Sequence, residues 1–219
     1  MIRLVNFLLL IENISDYSKK VIDNGKTPLD VYNVCSIIRE SFCCSYSIRK
    51  GNNLYIYIDS THILMKFTGK SLRYLSSDER SQALLLKRAL DRLNGVETIT
   101  SLGMQKSTPG IYVKRLVKGE SIFENIIDLY NEKIIVIKEF EKENMESDII
   151  NLEELDNLTE YCYVFPQNSI STVDFLGLIG ENYKFKYANL SNIKGIENKI
   201  LFINFLIDQK EDKDKELNR

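Results

Sequence analysis

The sequence has one histidine, ten glycines and three prolines in 219 residues, and no glycine belongs to a GxGxxG or P-loop motif. Without that glycine spacing, a standard dinucleotide site and a Walker-type phosphate cradle are both excluded. The lone His62 has no acid or cysteine arranged around it, so we expect a strand or turn residue. Serine-hydrolase triads and most zinc chemistry are thereby excluded.

Cysteine is also scarce. Cys35, Cys43, Cys44 and Cys162 fit no zinc-ligand spacing. The adjacent Cys43 and Cys44 are poorly placed to bond to each other. We therefore predict four reduced core thiols and no metal.

Long apolar runs are missing. The first eleven residues, MIRLVNFLLLI, are interrupted by Arg3 and Asn6 and lack a small-residue cleavage site. They predict a buried first strand in preference to a signal peptide. No other stretch approaches the roughly 20 apolar residues of a membrane helix. We expect a cytoplasmic protein that does not contact membranes.

An excess of positive charge is absent too: 29 basic and 31 acidic residues give a formal net charge of −2. Any contact with RNA or DNA must come from a local patch. One candidate is KSTPGIYVKRL (106–116), because residues 104–118 hold four cations and no acid. The alternative is a solvated basic hairpin. In an extended YVKR run, Lys114 and Arg115 point to opposite faces.

Periodicity predicts an α/β protein. Pro28 precedes a helical pattern, 54–58 and 62–67 suggest a hairpin, and Ser76 with Glu79 suggests a capping box that opens a helix. Further on, apolar runs alternate with helical patterns; the predicted strands are 133–137, 161–165 and KFKYANL, and the predicted helices are 172–179 and 196–208. This alternation favours a mostly parallel sheet, whose ligands bind at the carboxyl ends of the strands.

The domain organisation follows from charge and pattern. We expect a single domain over residues 1–208. Within it, residues 139–160 contain nine acids and one lysine, which predicts a solvated insertion or loop. The polar residues 209–219 are expected to be a disordered tail.

Three stretches resemble a known family. KFTGKSLRYLSSDERSQALLLKRAL (66–90), KSTPGIYVKRL and FCCSYSIRKG (42–51) are similar, in order and spacing, to the archaeal tRNA pseudouridine N1-methyltransferases, the TrmY family of the SPOUT superfamily. The resemblance runs from about residue 28 to 138 and is weak beyond it.

The resemblance implies a fold and an activity. The fold would be a SPOUT-type, mostly parallel sheet flanked by helices, with a carboxyl-terminal trefoil knot. The chain would be a homodimer that uses S-adenosylmethionine to methylate N1 of pseudouridine at position 54 in the T-loop of tRNA. Alternatives are a ribosomal RNA pseudouridine N1-methyltransferase, a non-catalytic RNA-binding SPOUT homologue with a degenerate cofactor site, and a generic α/β protein unrelated to RNA.

The resemblance also assigns catalytic residues. Asp30 matches a family acid and is predicted as the base or an orienting group; the alternative is a first-turn acid that complements the helix dipole. Arg49 matches a family arginine and is predicted to hold a phosphate or the base carbonyls, or else to be an ordinary exposed cation. Arg115 is predicted as a catalytic residue; of Lys114 and Arg115, one would face the bound nucleotide and the other would support the dimer or the RNA backbone.

Cofactor and RNA contacts are predicted in the same way. The cofactor-binding residues would be Ile137, Gln167, Asn168, Leu190, Ser191, Asn192, Ile193 and Lys199. The segment 166–171 lacks the family glycine, and Lys199 stands in place of a family cysteine. The RNA-binding residues would be Lys106, Ser107, Thr108, Tyr112 and Lys114, with Tyr46 as a further stacking candidate.

Overall fold

A computed structural model describes residues 4–45, 47–93, 103–117, 120–122, 125–126, 133–138, 149–167 and 185–217. The strands are β1 (Val5–Ile11), β2 (Cys43–Cys44), β3 (Ser47–Ile48), β4 (Asn52–Ile58), β5 (Ile63–Thr68), β6 (Gln105–Thr108), β7 (Ile111–Arg115), β8 (Lys133–Lys138), β9 (Ile149–Ile150), β10 (Tyr161–Pro166) and β11 (Phe185–Asn189). The α-helices are α1 (Lys19–Asp23), α2 (Leu29–Phe42), α3 (Glu79–Asp91) and α4 (Ile196–Leu217).

One large sheet contains nine of these strands, in the order β6-β7-β5-β4-β1-β10-β8-β11-β9. From β4 to β9 all neighbouring strands are parallel. The remaining strands, β5, β7 and β6, extend the other side as antiparallel neighbours. The expectation of a mixed α/β fold with a mostly parallel sheet is confirmed.

The first strand lies in the middle of this sheet. All seven residues of β1 are buried, since parallel partners cover both edges and apolar layers cover both faces. Its one polar side chain, Asn6, accepts a hydrogen bond from the Asn53 amide at 3.0 Å. The prediction of a buried first strand is confirmed.

The predicted hairpin is also present. β4 and β5 pair from Ile58–Ile63 to Asn53–Thr68. A 3₁₀ turn, Asp59–Thr61, joins them, and His62 completes the turn in the left-handed region with φ 52°. The Tyr57 hydroxyl lies 3.0 Å from His62 Nδ1. His62 is therefore a turn residue, as predicted.

Helix α3 begins later than its capping pattern suggested. Asp78 is the N-cap residue, and its carboxylate accepts a hydrogen bond from the Ser81 N–H at 2.8 Å. Ser76 instead donates its hydroxyl proton to the Asp78 carboxylate. The predicted Ser76–Glu79 capping box is wrong, because the N-cap position is occupied by Asp78, which is an equally good N-cap residue.

The last helix packs against α2 through a buried polar cluster. Asn204, 1% exposed, donates to the Glu40 carbonyl at 2.9 Å and accepts from the Asn52 amide at 3.0 Å. Further along α4, Asp208 forms two hydrogen bonds with Arg49 at 2.6 and 2.7 Å. The helix α4 continues beyond residue 208 to Leu217, so part of the expected disordered tail is helical.

Residues 149–160 differ from the solvated loop that we expected for 139–160. β9 adds to the sheet beside β11, and two 3₁₀ turns follow, Leu152–Glu154 and Leu158–Glu160. Leu152 and Leu158 are buried. The acids sit between leucines that reach the core, which a count of charges does not reveal. Residues 139–148 lie outside the described part.

All four cysteines are free thiols, as predicted. Cys35 and Cys162 are buried, and burial raises the pKa of Cys35 to about 12. Cys43 and Cys44, by contrast, are only half-buried in the small β2–β3 ladder, so the term core thiol fits two of the four. Among the described residues, no helix is long and apolar enough to cross a bilayer.

We expect Asn204→Ala to lower the free energy of unfolding by about 1–3 kcal/mol, because it removes the hydrogen bonds that the buried Asn204 side chain makes with the Glu40 carbonyl and the Asn52 amide. Urea unfolding followed by circular dichroism measures this. The matched control on the same helix is the exposed Gln209→Ala, which should change stability by less than about 0.5 kcal/mol. Equal effects for the two variants would contradict the conclusion that the hydrogen bonds of Asn204 stabilise the packing of α4 against α2.

Candidate functional site

The carboxyl ends of three adjacent parallel strands meet at one edge of the sheet, which we call the carboxyl edge. β8 pairs with β10 on one side and with β11 on the other. Ile137 lies near the end of β8 and is buried, Gln167 follows β10, and Leu190 follows β11. The structure thus brings three predicted cofactor residues to the place where α/β sheets bind ligands.

The connection from β11 to α4 is short and held by its own backbone. The Ser191 N–H donates to Asn189 Oδ1 at 2.9 Å, and the Ile193 N–H donates to the Leu190 carbonyl at 3.0 Å. The Ser191 and Asn192 side chains are exposed, whereas Leu190 is buried. Lys199, in the first turns of α4, is 6% exposed. This loop presents polar side chains beside an apolar floor.

Gln167 lies in the segment 166–171, in which a glycine was expected. Its N–H donates to the Leu10 carbonyl at 2.9 Å, and its Oε1 accepts from the Glu12 N–H at 3.2 Å. These bonds tie the end of β10 to the end of β1, which a glycine would do through the backbone bond alone. Asn168 lies outside the described residues.

Asp30 lies at the same edge as these loops. It is in the first turn of α2, and its carboxylate accepts a hydrogen bond from the Ser15 N–H at 2.5 Å. Ser15 belongs to the connector that leaves β1 at Ile11. The acid is therefore anchored at the carboxyl edge, beside the end of the central strand.

Lys114 and Arg115 lie at the end of β7, opposite Leu64 and Ile63 of β5. Arg115 is exposed, whereas the Lys114 ammonium contacts Glu120 at 2.7 Å and Asn125 at 2.5 Å. Burial disfavours the charged form of Glu120, but its hydrogen bonds, above all that from Lys114, lower its pKa. Residues 104–118 contain no acid, but Glu120, just beyond them, is the carboxylate partner of Lys114.

The other half of the KSTPGIYVKRL motif lies at the opposite edge of the sheet, which we call the amino edge. The turn Pro109–Gly110 and the start of β7 neighbour the start of β4, because β5 runs antiparallel to both. Arg49, bonded to Asp208, precedes β4 at this edge as well. The structure therefore separates Arg49 from Asp30 and Arg115. A catalytic role for Arg49 stays a prediction.

A basic cleft of about 530 Å³ opens at the amino edge. The residues that line it are Lys50, Lys70, Ser71, Leu72, Arg73, Lys106, Pro109, Gly110 and Tyr112. Lys106 and Tyr112 were predicted to bind RNA. Lys50, Lys70 and Arg73 were missed, since they are far apart in sequence from the basic motif.

Two other predicted RNA-binding residues stand near this cleft. Ser107 and Thr108 are both half-buried in β6. The Thr108 hydroxyl is buried and has no hydrogen-bond partner within the described part of the chain. A phosphate contact through either hydroxyl stays a prediction. Tyr46 lies outside the described residues.

Comparison with known proteins adds three findings. A sequence model of the family described as "Putative SAM-dependent RNA methyltransferase" matches residues 15–153, more than half of the chain. Two curated relatives are named tRNA (pseudouridine(54)-N(1))-methyltransferase: that of Methanocaldococcus jannaschii is 29% identical over 115 residues, and that of Methanocella arvoryzae is 28% identical over 121 residues. These matches cover 51% and 53% of this chain.

The chain spans just over half the length of these relatives, 55% and 59% respectively. Among solved structures, that of Archaeoglobus fulgidus Nep1 bound to S-adenosylhomocysteine superposes with a TM-score of 0.53 over 94% of this chain and 98% of that one. The sequence identity of 11% means that this likeness concerns the fold alone.

Gly110 sets the shape of the cleft, and a stability test follows from it. Its φ is +83°, and an added Cβ would lie 2.4 Å from the Leu72 Cα. We expect Gly110→Ala to destabilise the protein by more than about 2 kcal/mol, since strain from positive φ and a backbone clash add. Thermal or urea unfolding measures the loss.

Two other glycines serve as matched controls. Gly25 has φ +64° but open space around it, so Gly25→Ala should cost only the backbone strain of about 1–2 kcal/mol. An added Cβ at Gly103 also meets nothing within 4 Å, without a positive φ, and Gly103→Ala should be close to neutral. If Gly110→Ala cost no more than Gly25→Ala, the close contact with Leu72 would not be a constraint.

Proposed function

This chain belongs to the family of S-adenosylmethionine-dependent RNA methyltransferases, and from that premise we propose that it methylates N1 of pseudouridine 54 in the T-loop of tRNA. The observation that carries the proposal is the family match over residues 15–153, joined to curated relatives named for this reaction. The meeting of Ile137, Gln167 and Leu190 at the carboxyl edge supports a ligand site there. We propose that the enzyme acts in the cytoplasm.

The residues at the carboxyl edge fit the proposed cofactor. Ile137 and Leu190 are buried apolar side chains suited to flank an adenine ring, and Ser191 and Asn192 place polar groups beside them. Ile193 and Lys199 continue this wall into α4. When bound, S-adenosylmethionine supplies a methyl group on a positively charged sulfur.

The protein residues would handle the proton. N-methylation requires pseudouridine N1 to lose its hydrogen, and we propose that the Asp30 carboxylate accepts it. The Ser15 N–H holds one carboxylate oxygen of Asp30, which orients the group and leaves the second oxygen as an acceptor. A placed base of this kind is typically worth about 10²–10⁴-fold in rate.

Arg115 would contribute charge at the same edge. Strands β1 and β7 are separated by β4 and β5, about 14 Å at the usual strand spacing. A nucleoside beside Asp30 would therefore not reach Arg115 directly. We propose that the exposed Arg115 contacts the RNA backbone near the target nucleoside.

We also propose that the carboxyl-terminal part is knotted and belongs to one domain with the rest of residues 1–208. The support is the strand order: after β8 the chain adds β9 at the sheet edge, returns to insert β10 between β1 and β8, and leaves again to form β11. α4 then crosses back onto α2.

A degenerate cofactor site is the second candidate, favoured by one observation. The segment 166–171 lacks the expected glycine, and the Gln167 side chain in it accepts a hydrogen bond from the Glu12 N–H at the carboxyl edge. An RNA-binding protein without transferase activity would tolerate this change. A ribosomal RNA substrate, by comparison, is less favoured because the curated relatives are named for tRNA.

The test is methyl transfer to tRNA. Purified protein with S-adenosylmethionine and a tRNA containing pseudouridine 54 should yield N1-methylpseudouridine by nucleoside mass spectrometry, and the same tRNA with uridine at 54 should not. We expect Asp30→Asn to slow the reaction about 10²–10⁴-fold. The amide oxygen can still accept from Ser15, so the fold should persist.

Asp16→Asn is the matched control. Asp16 follows Ser15 in the connector after β1, and its side chain is 96% exposed. It should leave the rate within about twofold. Retained activity in Asp30→Asn would remove the base role and keep the transferase. RNA binding with neither transfer nor S-adenosylmethionine binding by calorimetry would instead select the degenerate-site alternative.

We propose that the chain forms a homodimer through the outer faces of α2 and α4. These helices pack against each other and expose apolar side chains: Leu29 is 74%, Leu201 47% and Phe205 52% exposed. Leu201 and Phe205 are four residues apart and so share one helix face. A second copy of the chain would cover that face.

We expect Leu201→Asp with Phe205→Asp to shift the protein from dimer to monomer in sedimentation equilibrium, because two buried charges would face the partner helix. The matched control is Val117→Asp, which places a charge on a similarly exposed apolar residue away from α4. A dimer that survives the double substitution, or a wild-type monomer, would contradict this interface.

A further inference from the structure

The basic cleft at the amino edge has a charge pattern that calls for an anion. Among the described residues that line it, four are cations, Lys50, Lys70, Arg73 and Lys106, and none is an acid. Within the described part of the chain, none of the four side chains has a carboxylate partner, unlike Lys114 or Arg49. Like charges gathered without compensation repel one another. The protein tolerates this where a bound anion is to supply the balance.

The walls of the cleft are held by backbone contacts, which fix the backbone positions from which the cationic side chains extend. Gly69 lies so near the turn before β4 that an added Cβ would be 2.2 Å from the Arg49 carbonyl oxygen. Gly110 presses in the same way on Leu72. Hydrogen bonds from Gly69 N–H to Asn52 O and from Thr68 N–H to Gly110 O, at 2.9 and 2.8 Å, close the joints.

These contacts bring together cations from three parts of the chain. Lys50 comes from the turn before β4, Lys70 and Arg73 from the loop after β5, and Lys106 from β6. Lys106 is directly opposite Tyr112 in the β6–β7 ladder, so the two side chains share one face of the sheet. Preorganised groups bind with less loss of conformational entropy than mobile ones.

We propose that this cleft binds the phosphodiester backbone of RNA, at a place separate from the methyl-transfer site. Four cations that have no carboxylate partner among the described residues, gathered along one cleft, match a polyanion with repeated charges better than a single small anion. Phosphate contacts of this type hold and orient a nucleic acid without reading its sequence. The inference deepens the proposed function and rests on it for the identity of the RNA.

The position of the cleft sets the size of the ligand. From Gly110 to Arg115, β7 crosses the sheet from the amino edge to the carboxyl edge, roughly 17 Å at about 3.4 Å per residue. An RNA that fills both places must extend several nucleotides from its target nucleoside. The cleft would therefore grip a neighbouring part of the folded RNA.

The test is the salt dependence of tRNA binding. We compare the wild-type chain with the triple variant Lys70→Ala, Arg73→Ala, Lys106→Ala by fluorescence anisotropy with labelled tRNA over a range of KCl concentrations. Removing three phosphate contacts should weaken binding roughly 10- to 100-fold at moderate salt and reduce the slope of log K against log salt by about 2–3. The loss should be similar for tRNAs of different sequence.

The matched control is the triple variant Lys20→Ala, Lys26→Ala, Arg88→Ala. It also removes two lysines and one arginine, at exposed positions outside the cleft. It should leave the slope within about one unit of wild type. Circular dichroism melting of each variant verifies folding. A cleft variant that is folded and keeps the wild-type affinity and slope, or a control triple that loses as much, would overturn the proposal.

This experiment is independent of catalysis, because binding is measured without S-adenosylmethionine. If no methyl transfer is found but the cleft variant loses tRNA affinity, the proposed reaction fails and the cleft assignment stands. If methyl transfer is found and the cleft variant binds as the wild type does, the reaction stands and the cleft assignment fails.

Discussion

The central place of β1 is the constraint on which the rest of the structure depends. Its side chains are buried on both faces, and β4 and β10 cover its two edges as parallel partners. Because a strand buried in this way has no free edge, chain segments from the two halves of the sequence must meet on either side of it. The parallel direction then places the ends of β1, β8, β10 and β11 together at one edge.

The antiparallel strands divide the functional surfaces. β5 and β7 reverse direction beside β4, so the two ends of one basic motif reach opposite edges of the sheet. Arg115 joins Asp30 and the loop 190–193 at the carboxyl edge, while Lys106 joins Lys70 and Arg73 at the amino edge. The interpretation of KSTPGIYVKRL as a single basic patch does not predict this separation. Strand direction separates the site proposed for methyl transfer from the cleft proposed to bind the RNA backbone.

Local patterns in the sequence predicted the elements whose burial is simple. β1, the β4–β5 hairpin and α2 follow from apolar runs, a turn and helical spacing. The predictions that were wrong concern residues whose structure depends on contacts that a local pattern does not contain. Asp78, not Ser76, is the N-cap residue of α3. Leu152 and Leu158 are buried in the core although they belong to an acidic segment. The pair Arg49–Asp208 joins residues 159 positions apart, which no local pattern reveals.

The same limit explains why half of the basic cleft was not predicted. Lys50, Lys70 and Arg73 lie far from Lys106 in the sequence, and the close contacts at Gly69 and Gly110 bring the segments that carry them together. Net charge is then a poor guide to the ligand. The chain is slightly acidic overall, yet it pairs Lys114 and Arg49 with carboxylates and leaves the cleft cations unpaired within the described residues. Where the charge is left uncompensated matters more for binding a polyanion than how much charge the chain carries.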